Sequence, residues 1–376
     1  MPGIYVHIPF CVAKCGYCDF HSIIADEEIV GIYINACFKE LEYWAHELSN
    51  IKFDTLFIGG GTPTVLSQRQ LAGLLEQIFT KFTFVDSPEC SIESNPKTLD
   101  YKKVKVLKDS GINRVSLGAQ AFQNNLLEGM GRVHNVAAIY ESVDFLQRVG
   151  IDNYNLDLMY GLPQQLQLDW EDSLAQALKL EPTHLSCYSL IVEEDTPFFQ
   201  AQQQGMLHLP DEEDELSMFT HTHEYLKAQG FHHYEISNFA RPDKESRHNT
   251  LYWLNQSYLG IGSGAHGFWG NVRYANTLDI KKYIDDWSHC KPTWELRERI
   301  TADQLMDETM MVGLRLLTGV NKANFSKRFG HALEDIYGTQ LRDLTARELI
   351  EEVDGFIRLT QAGLYLGNLV FSAFIR

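Results

Sequence analysis

The chain has 376 residues, 44% of them apolar, and a formal net charge of −18. That length and apolar content suit a folded α/β domain with a smaller companion and exclude a disordered chain. The negative charge excludes nucleic acid and an anionic membrane surface as general partners, because both repel it.

Residues 4–9 read as a strand, and residues 26–48 carry helical periodicity through Ile29, Ile32, Tyr33, Phe38, Leu41 and Trp44. A short apolar strand over residues 54–58 runs into Gly59-Gly60-Gly61, and Ser67 is the expected N-cap of a helix reaching about Phe82. Residues 90–93, 114–117, 153–158 and 184–190 are further strand candidates, and helix-like stretches stand between them. Strand-then-helix, repeated about six times, implies parallel strands under covering helices. The expected architecture is thus α/β, a partial (β/α)6 TIM-like barrel over about residues 1–200. Polar residues Glu93, Asn95, Gln120, Asp157 and Tyr188 fall at the C-terminal strand ends, the rim where such barrels build their sites. Beyond residue 195 the pattern changes. Residues 211–229 read as one long helix, residues 259–268 are rich in glycine, and residues 295–376 read as a separate, mainly helical domain, leaving 1–294 as the core and its elaboration. No basic leader precedes the first strand, and no apolar run reaches the roughly 18 residues of a membrane span. The sequence is therefore read as cytoplasmic, meeting a membrane only through a partner.

Seven cysteines are present, three of them in Cys11-Val-Ala-Lys-Cys15-Gly-Tyr-Cys18. In a reducing compartment such clustering points to metal rather than to disulfides. Three soft thiolates on one tight loop can ligate three irons of a 4Fe-4S cluster and leave the fourth iron without a protein ligand. An open iron can bind the amino and carboxylate groups of S-adenosylmethionine (SAM), whose sulfonium is then cleaved reductively to a 5′-deoxyadenosyl radical. A zinc loop completed by His7 or His21 is the competing assignment.

The strings Tyr5-Val-His-Ile-Pro-Phe-Cys11, Gly59-Gly60-Gly61-Thr62-Pro63, Glu93-Ser-Asn95-Pro96, Gly118-Ala-Gln120, Gly131-Arg132-Val-His134, Asp157-Leu-Met-Tyr160-Gly161-Leu-Pro163 and His248-Asn249-Thr-Leu-Tyr252-Trp253 span nearly the whole chain. Together they resemble the oxygen-independent coproporphyrinogen III oxidase-like (HemN-like) branch of the radical SAM superfamily, and within it the heme-chaperone members. The resemblance implies a HemN-like C-terminal domain over residues 295–376 and a cluster on Cys11, Cys15 and Cys18. It implies that Tyr5 contacts SAM, that Gly60, Gly61 and Thr62 line its methionine end, and that Glu93 accepts from its amino group. Gln120, Arg132 and Asp157 match further SAM-contacting positions, and backbone near Ile191 and His266 would flank the adenosine. Oxidases of this branch carry a fourth cysteine two residues after the third; here that position is Phe20.

Heme is the expected cargo, with His248 the first candidate for its iron. The alternative for His248 is a hydrogen-bonded structural histidine beside a core Tyr252 and Trp253, and His221, His223, His232, His233 and His266 compete as ligands. The resemblance implies a chaperone passing heme to an acceptor protein, supplied with electrons by a reducing partner such as flavodoxin or ferredoxin. A radical SAM enzyme acting on a tetrapyrrole, as oxidase or methyltransferase, is the alternative, with Phe20 against the oxidase.

Overall fold

Alternation inside each strand decides the architecture. Ile4, Val6 and Ile8 point one way from the first strand, and Leu56, Ile58, Ile92, Val115, Leu117, Leu156 and Leu158 do the same in the next four; all are fully buried under helices. The intervening positions hold Tyr5, Phe57, Ser91, Glu93, Ser116, Asn155 and Asp157, which face a polar lumen. The computed structural model describes residues 1–24, 27–292 and 294–376. Its first half repeats one unit: β1 (Gly3–Ile8), α1 (Glu27–Glu47), β2 (Lys52–Gly60), α2 (Gln68–Lys81), β3 (Thr83–Ser94), α3 (Tyr101–Asp109), β4 (Arg114–Gln120), α4 (Asn124–Gly129), α5 (Val136–Val149), β5 (Tyr154–Tyr160), α6 (Gln167–Lys179) and β6 (His184–Ser189). The six strands pair in parallel in sequence order, as expected. The expected start of the first helix at Asp26 lies outside the described residues. Ser67 does cap α2: its Oγ accepts from Gln70 N–H (3.3 Å), and Gln70 Oε1 accepts from Ser67 N–H (2.9 Å).

The second half widens both edges of this sheet. It contributes α7 (Pro197–Gln203), α8 (Glu212–Ala228), β7 (His232–Glu235), β8 (Asn238–Ala240), α9 (Arg247–Trp253), β9 (Tyr258–Ile261), β10 (His266–Trp269), β11 (Val272–Asn276), α10 (Ile280–Ser288) and β12 (Trp294–Arg299). β9 lies parallel to β1 and is followed outward by antiparallel β10, β11 and β12, while β8 and β7 extend the sheet beyond β6. Glu40 of α1 fastens the β9 side. This fully buried carboxylate accepts from Gly262 N–H (2.8 Å), Asn276 Nδ2 (2.7 Å) and Tyr283 OH (2.6 Å).

The C-terminal part is α11 (Ala302–Gly313), β13 (Val320–Asn321), α12 (Lys322–Phe329), α13 (Leu333–Ala346), β14 (Ile350–Val353), β15 (Phe356–Leu359), α14 (Gln361–Tyr365) and α15 (Gly367–Ser372). It packs around its own apolar cluster, including Met310, Leu314, Tyr337 and Phe374. Two features add detail to the mainly helical domain expected from sequence. A three-stranded sheet in the order β13-β15-β14 accompanies the helices. β12, at the start of the residues read as a separate domain, pairs with β11 in the main sheet. Arg273 and Glu308 tie the two parts through a bidentate ion pair (2.7 and 2.8 Å).

Candidate functional site at the barrel rim

The C-terminal ends of β1 to β6 surround a cavity of about 470 Å³ lined by Cys11, Cys15 and Cys18, Gly60, Gly61 and Thr62, Glu93, Gln120, Arg132 and Asp157. These residues are far apart in sequence. Parallel strands bring them together because every strand end meets the same rim. Phe20, Ile191 and His134 also line it.

The cysteine loop follows β1 directly. Cys11 N–H donates to Ile23 O (3.0 Å) and Ile23 N–H to Pro9 O (2.8 Å), closing the loop at its base. Gly16 N–H donates to Met130 O (3.0 Å), which pins the middle of the loop to the stretch after β4. All three cysteines are free and partly exposed.

Three side chains link two of these sulfurs around the rim. Cys11 Sγ lies 3.6 Å from Thr62 Oγ1, which accepts from Asn95 Nδ2 (2.7 Å). Asn95 Oδ1 accepts from Arg132 Nη2, and Arg132 Nη1 donates to Cys15 Sγ (3.4 Å). Each of these two sulfurs therefore has a polar partner suited to a thiolate. Asn95 is the link that the sequence reading left out of the site, although its place at a strand end was visible.

Backbone shape completes the cradle. A Cβ on Gly61 would sit 2.7 Å from Phe10 O and 3.0 Å from Cys11 Sγ, so only glycine fits there. Gln120 adopts φ +68° where the β4–β5 register shifts. That left-handed kink re-aims the end of β4, and Tyr188 OH donates to Gln120 Oε1 (2.9 Å).

The acidic residues line the cavity with no ion-pair partner in direct contact among the described residues. Glu93 Oε2 accepts from Gly60 N–H (2.9 Å). Burial, then the neighbouring Asp157, raises the Glu93 carboxyl to about 8. Asp157 is raised chiefly by burial, offset by hydrogen bonds from Ser186, Asn155 and Ser116 and by the Arg132 charge. His134 has an open acceptor. Its Nε2 lies against Ala119 O (3.2 Å) and so carries the proton, while Nδ1 is buried with no partner.

The donor set fits a cubane better than a single zinc ion. Among the described residues, no three His, Cys, Asp or Glu side chains converge on one ion position. Thiolates that each hold a different iron need no such convergence. His7 and His21 do not complete a zinc site. His7 is buried, lowered to about 4 chiefly by burial, and has both nitrogens engaged, with Tyr5 OH at Nδ1 (2.9 Å) and His21 O at Nε2 (3.1 Å).

Three expected site residues stand elsewhere. Tyr5 lies in mid-strand and lines a second cavity of about 250 Å³ beneath the rim, which Glu93 and Asp157 also border. Its hydroxyl is engaged by His7, so it reaches the rim through that ring rather than directly. His266, at the start of β10, is exposed and outside the rim cavity.

His248 sits at the opposite, N-terminal end of the barrel. It is fully buried in α9, with Nδ1 2.7 Å from Thr55 Oγ1 and Nε2 2.8 Å from Tyr252 OH. Phe57 stacks on its ring at 5.2 Å, and burial lowers its pKa to about 3. Glu89 accepts from the Arg247 and His248 backbone N–H groups (3.1 Å each), holding α9 against the strands. With both nitrogens occupied, His248 has the contacts of the hydrogen-bonded structural histidine of the two alternatives, and it borders the 250 Å³ cavity beneath the rim.

With this geometry in hand, the kinship of the chain is informative. Residues 5–177 match the radical SAM superfamily and residues 300–366 the HemN C-terminal domain. The heme chaperone HemW of Bacillus subtilis (strain 168) is 40% identical over 376 residues, covering 100% of this chain and 99% of its own. The heme chaperone HemW of Lactococcus lactis subsp. lactis (strain IL1403) is 37% identical over 373 residues, covering 99% and 96%. The structure of coproporphyrinogen III oxidase (HemN) from Escherichia coli superposes with a TM-score of 0.86 at 23% identity, over 99% of this chain and 90% of that one, a likeness of fold. With end-to-end identity at that level and the radical SAM and HemN C-terminal signatures in the matching places, this chain belongs to the HemW family of the radical SAM superfamily.

Proposed function

We propose that this protein is a heme-binding chaperone of the radical SAM type, which carries a 4Fe-4S cluster on Cys11, Cys15 and Cys18, holds SAM at the barrel rim and passes heme to an acceptor protein. The observation that carries the reading is the end-to-end relation to proteins named heme chaperones in a chain whose Cys11, Cys15 and Cys18 line one 470 Å³ cavity. When bound, the cluster and SAM supply one-electron chemistry at the rim.

The chain's own residues do the rest. Thr62 and Arg132 donate toward two of the thiolates, stabilising their negative charge and tuning the potential. Gly60 and Gly61 leave room for close backbone approach at the methionine end. Glu93, raised while unpaired, takes the SAM amino group and gives up its proton as it does so. Asp157 is oriented by Ser116 and Asn155 to accept from ribose hydroxyls, and Arg132 is placed for a carboxylate. Gln120 completes the rim from its kinked backbone.

Phe20 lines the cavity at the position where oxidases of this branch carry their fourth cysteine, which favours heme handling over porphyrinogen decarboxylation. No helix among the described residues is long and apolar enough to cross a membrane, so contact with a membrane would run through the acceptor. Electrons would come from a small reducing protein such as flavodoxin or ferredoxin.

The test is anaerobic reconstitution followed by two assays on one sample. Hemin should shift its Soret band saturably at one per chain, and coproporphyrinogen III should remain unconverted. Protoporphyrinogen IX formed over multiple turnovers would replace the chaperone reading with the oxidase one.

A further inference from the structure

A cavity of about 400 Å³ lies between α8 and the C-terminal domain, remote from the rim. One face of α8 supplies Phe219, His223 and Lys227, spaced four residues apart and therefore stacked along one side of the helix. Leu317, Leu364 and Tyr365 form the facing wall. Phe219 and Tyr365 meet edge to face, with ring centroids 5.4 Å apart. The volume falls within the roughly 300–1,000 Å³ of cofactor sites.

His223 is held in one tautomer. His233 Nε2 lies 3.0 Å from Ile236 O, so it carries a proton there. The buried neutral His233 must then accept at Nδ1, where His223 Nδ1 stands 3.1 Å away. His223 therefore donates from Nδ1 and leaves Nε2 as a bare lone pair, with no hydrogen-bond partner among the described residues. This is the arrangement of an iron-ligating imidazole, whose second nitrogen is fixed by an outer hydrogen bond. Burial, then nearby Lys227, lowers the His223 pKa, which keeps the ring neutral.

The charges suit a planar dianion. Lys227 is exposed, with no acidic partner among the described residues. Arg358 also borders the cavity but is committed to Glu351 (2.8 Å), which leaves Lys227 as the cation available for a propionate. Phe219 and Tyr365 offer ring faces and edges to a macrocycle, and an open side leaves a route for hand-over.

We propose that heme sits in this cleft, with His223 Nε2 on the iron and Lys227 on a propionate, so that the cargo lies against both the barrel extension and the C-terminal domain. The assignment rests on the heme-chaperone reading above.

The experiment is hemin titration of the full chain, followed by its Soret band, for wild type, His223→Ala and Lys227→Glu, with circular dichroism as the check on folding. Lys227 is exposed, so its reversal leaves the fold intact and keeps the test valid if His223→Ala is damaged. Wild type should bind one hemin. His223→Ala should bind about tenfold more weakly or worse, with a displaced Soret maximum. Lys227→Glu should weaken binding several-fold without moving the maximum. Wild-type affinity and spectrum in both variants would overturn this site while leaving heme binding itself standing. A wild-type chain that ignores hemin would overturn the chaperone reading and this site together.

Discussion

The two ends of the barrel hold their polar side chains in opposite states. At the rim, Glu93, His134 and the three cysteines face a cavity with acceptor capacity left over. At the base, His248, Thr55, Tyr252 and Glu89 satisfy one another and shut α9 onto the strand starts. Both ends are marked by short motifs with metal-binding residue types, so residue identity does not separate them. Free valence does. A side chain whose hydrogen-bonding sites are all occupied by its own protein is a structural part, and one with an unmet site in a cavity is a candidate for chemistry.

The comparison breaks most sharply at the cysteines. Cys15→Ala should lose nearly all of the cluster's visible absorption after reconstitution, because two thiolates cannot hold the cubane with an open corner. The same treatment of His248→Ala should leave the cluster spectrum unchanged. That variant should instead destabilise the chain by about 3 kcal/mol in a denaturant titration, since Thr55 and Tyr252 each lose a buried partner and a cavity opens. Unaltered stability in His248→Ala would undo the structural assignment of the base.

Glu93 gives a smaller and pH-dependent signal. Glu93→Gln should weaken SAM binding about tenfold, about 1.4 kcal/mol, by removing the carboxylate that meets the ammonium. With its folded value near 8 against an ordinary 4.5, Glu93 holds more protons in the folded chain than in the unfolded one across that interval. The stability it contributes is full below 4.5 and is lost as pH rises through 8. Stability of the SAM-free chain should thus decline with pH over this window, and Glu93→Gln should flatten the decline. Smallest of all, Thr62→Val removes a hydroxyl beside Cys11 Sγ. Reduction of the cluster should become harder by about 1 kcal/mol in a potentiometric titration, because reduction adds the negative charge that the hydroxyl stabilises.

Much of the rim was legible because the information is local. Period-two strands, the cysteine spacing and polar strand ends are each contained in a few residues, and parallel order then assembles them. The base was illegible for the converse reason. His248 is closed by Thr55, 193 residues away, and nothing in His-Asn-x-x-Tyr-Trp announces that partner. Short strands failed similarly. β13, β14 and β15 exist through pairing with one another, and the charged, mostly exposed β12 resembles the start of a surface domain until its register with β11 is seen. For Tyr5, alternation fixes which way the side chain points but not how far along the barrel axis it lies.

The most direct measurement is Mössbauer spectroscopy of the chain reconstituted anaerobically with ⁵⁷Fe, before and after adding SAM. A cluster held by Cys11, Cys15 and Cys18 alone should show four irons, one of which changes its parameters when SAM arrives. A mononuclear centre, or four irons indifferent to SAM, would contradict the account.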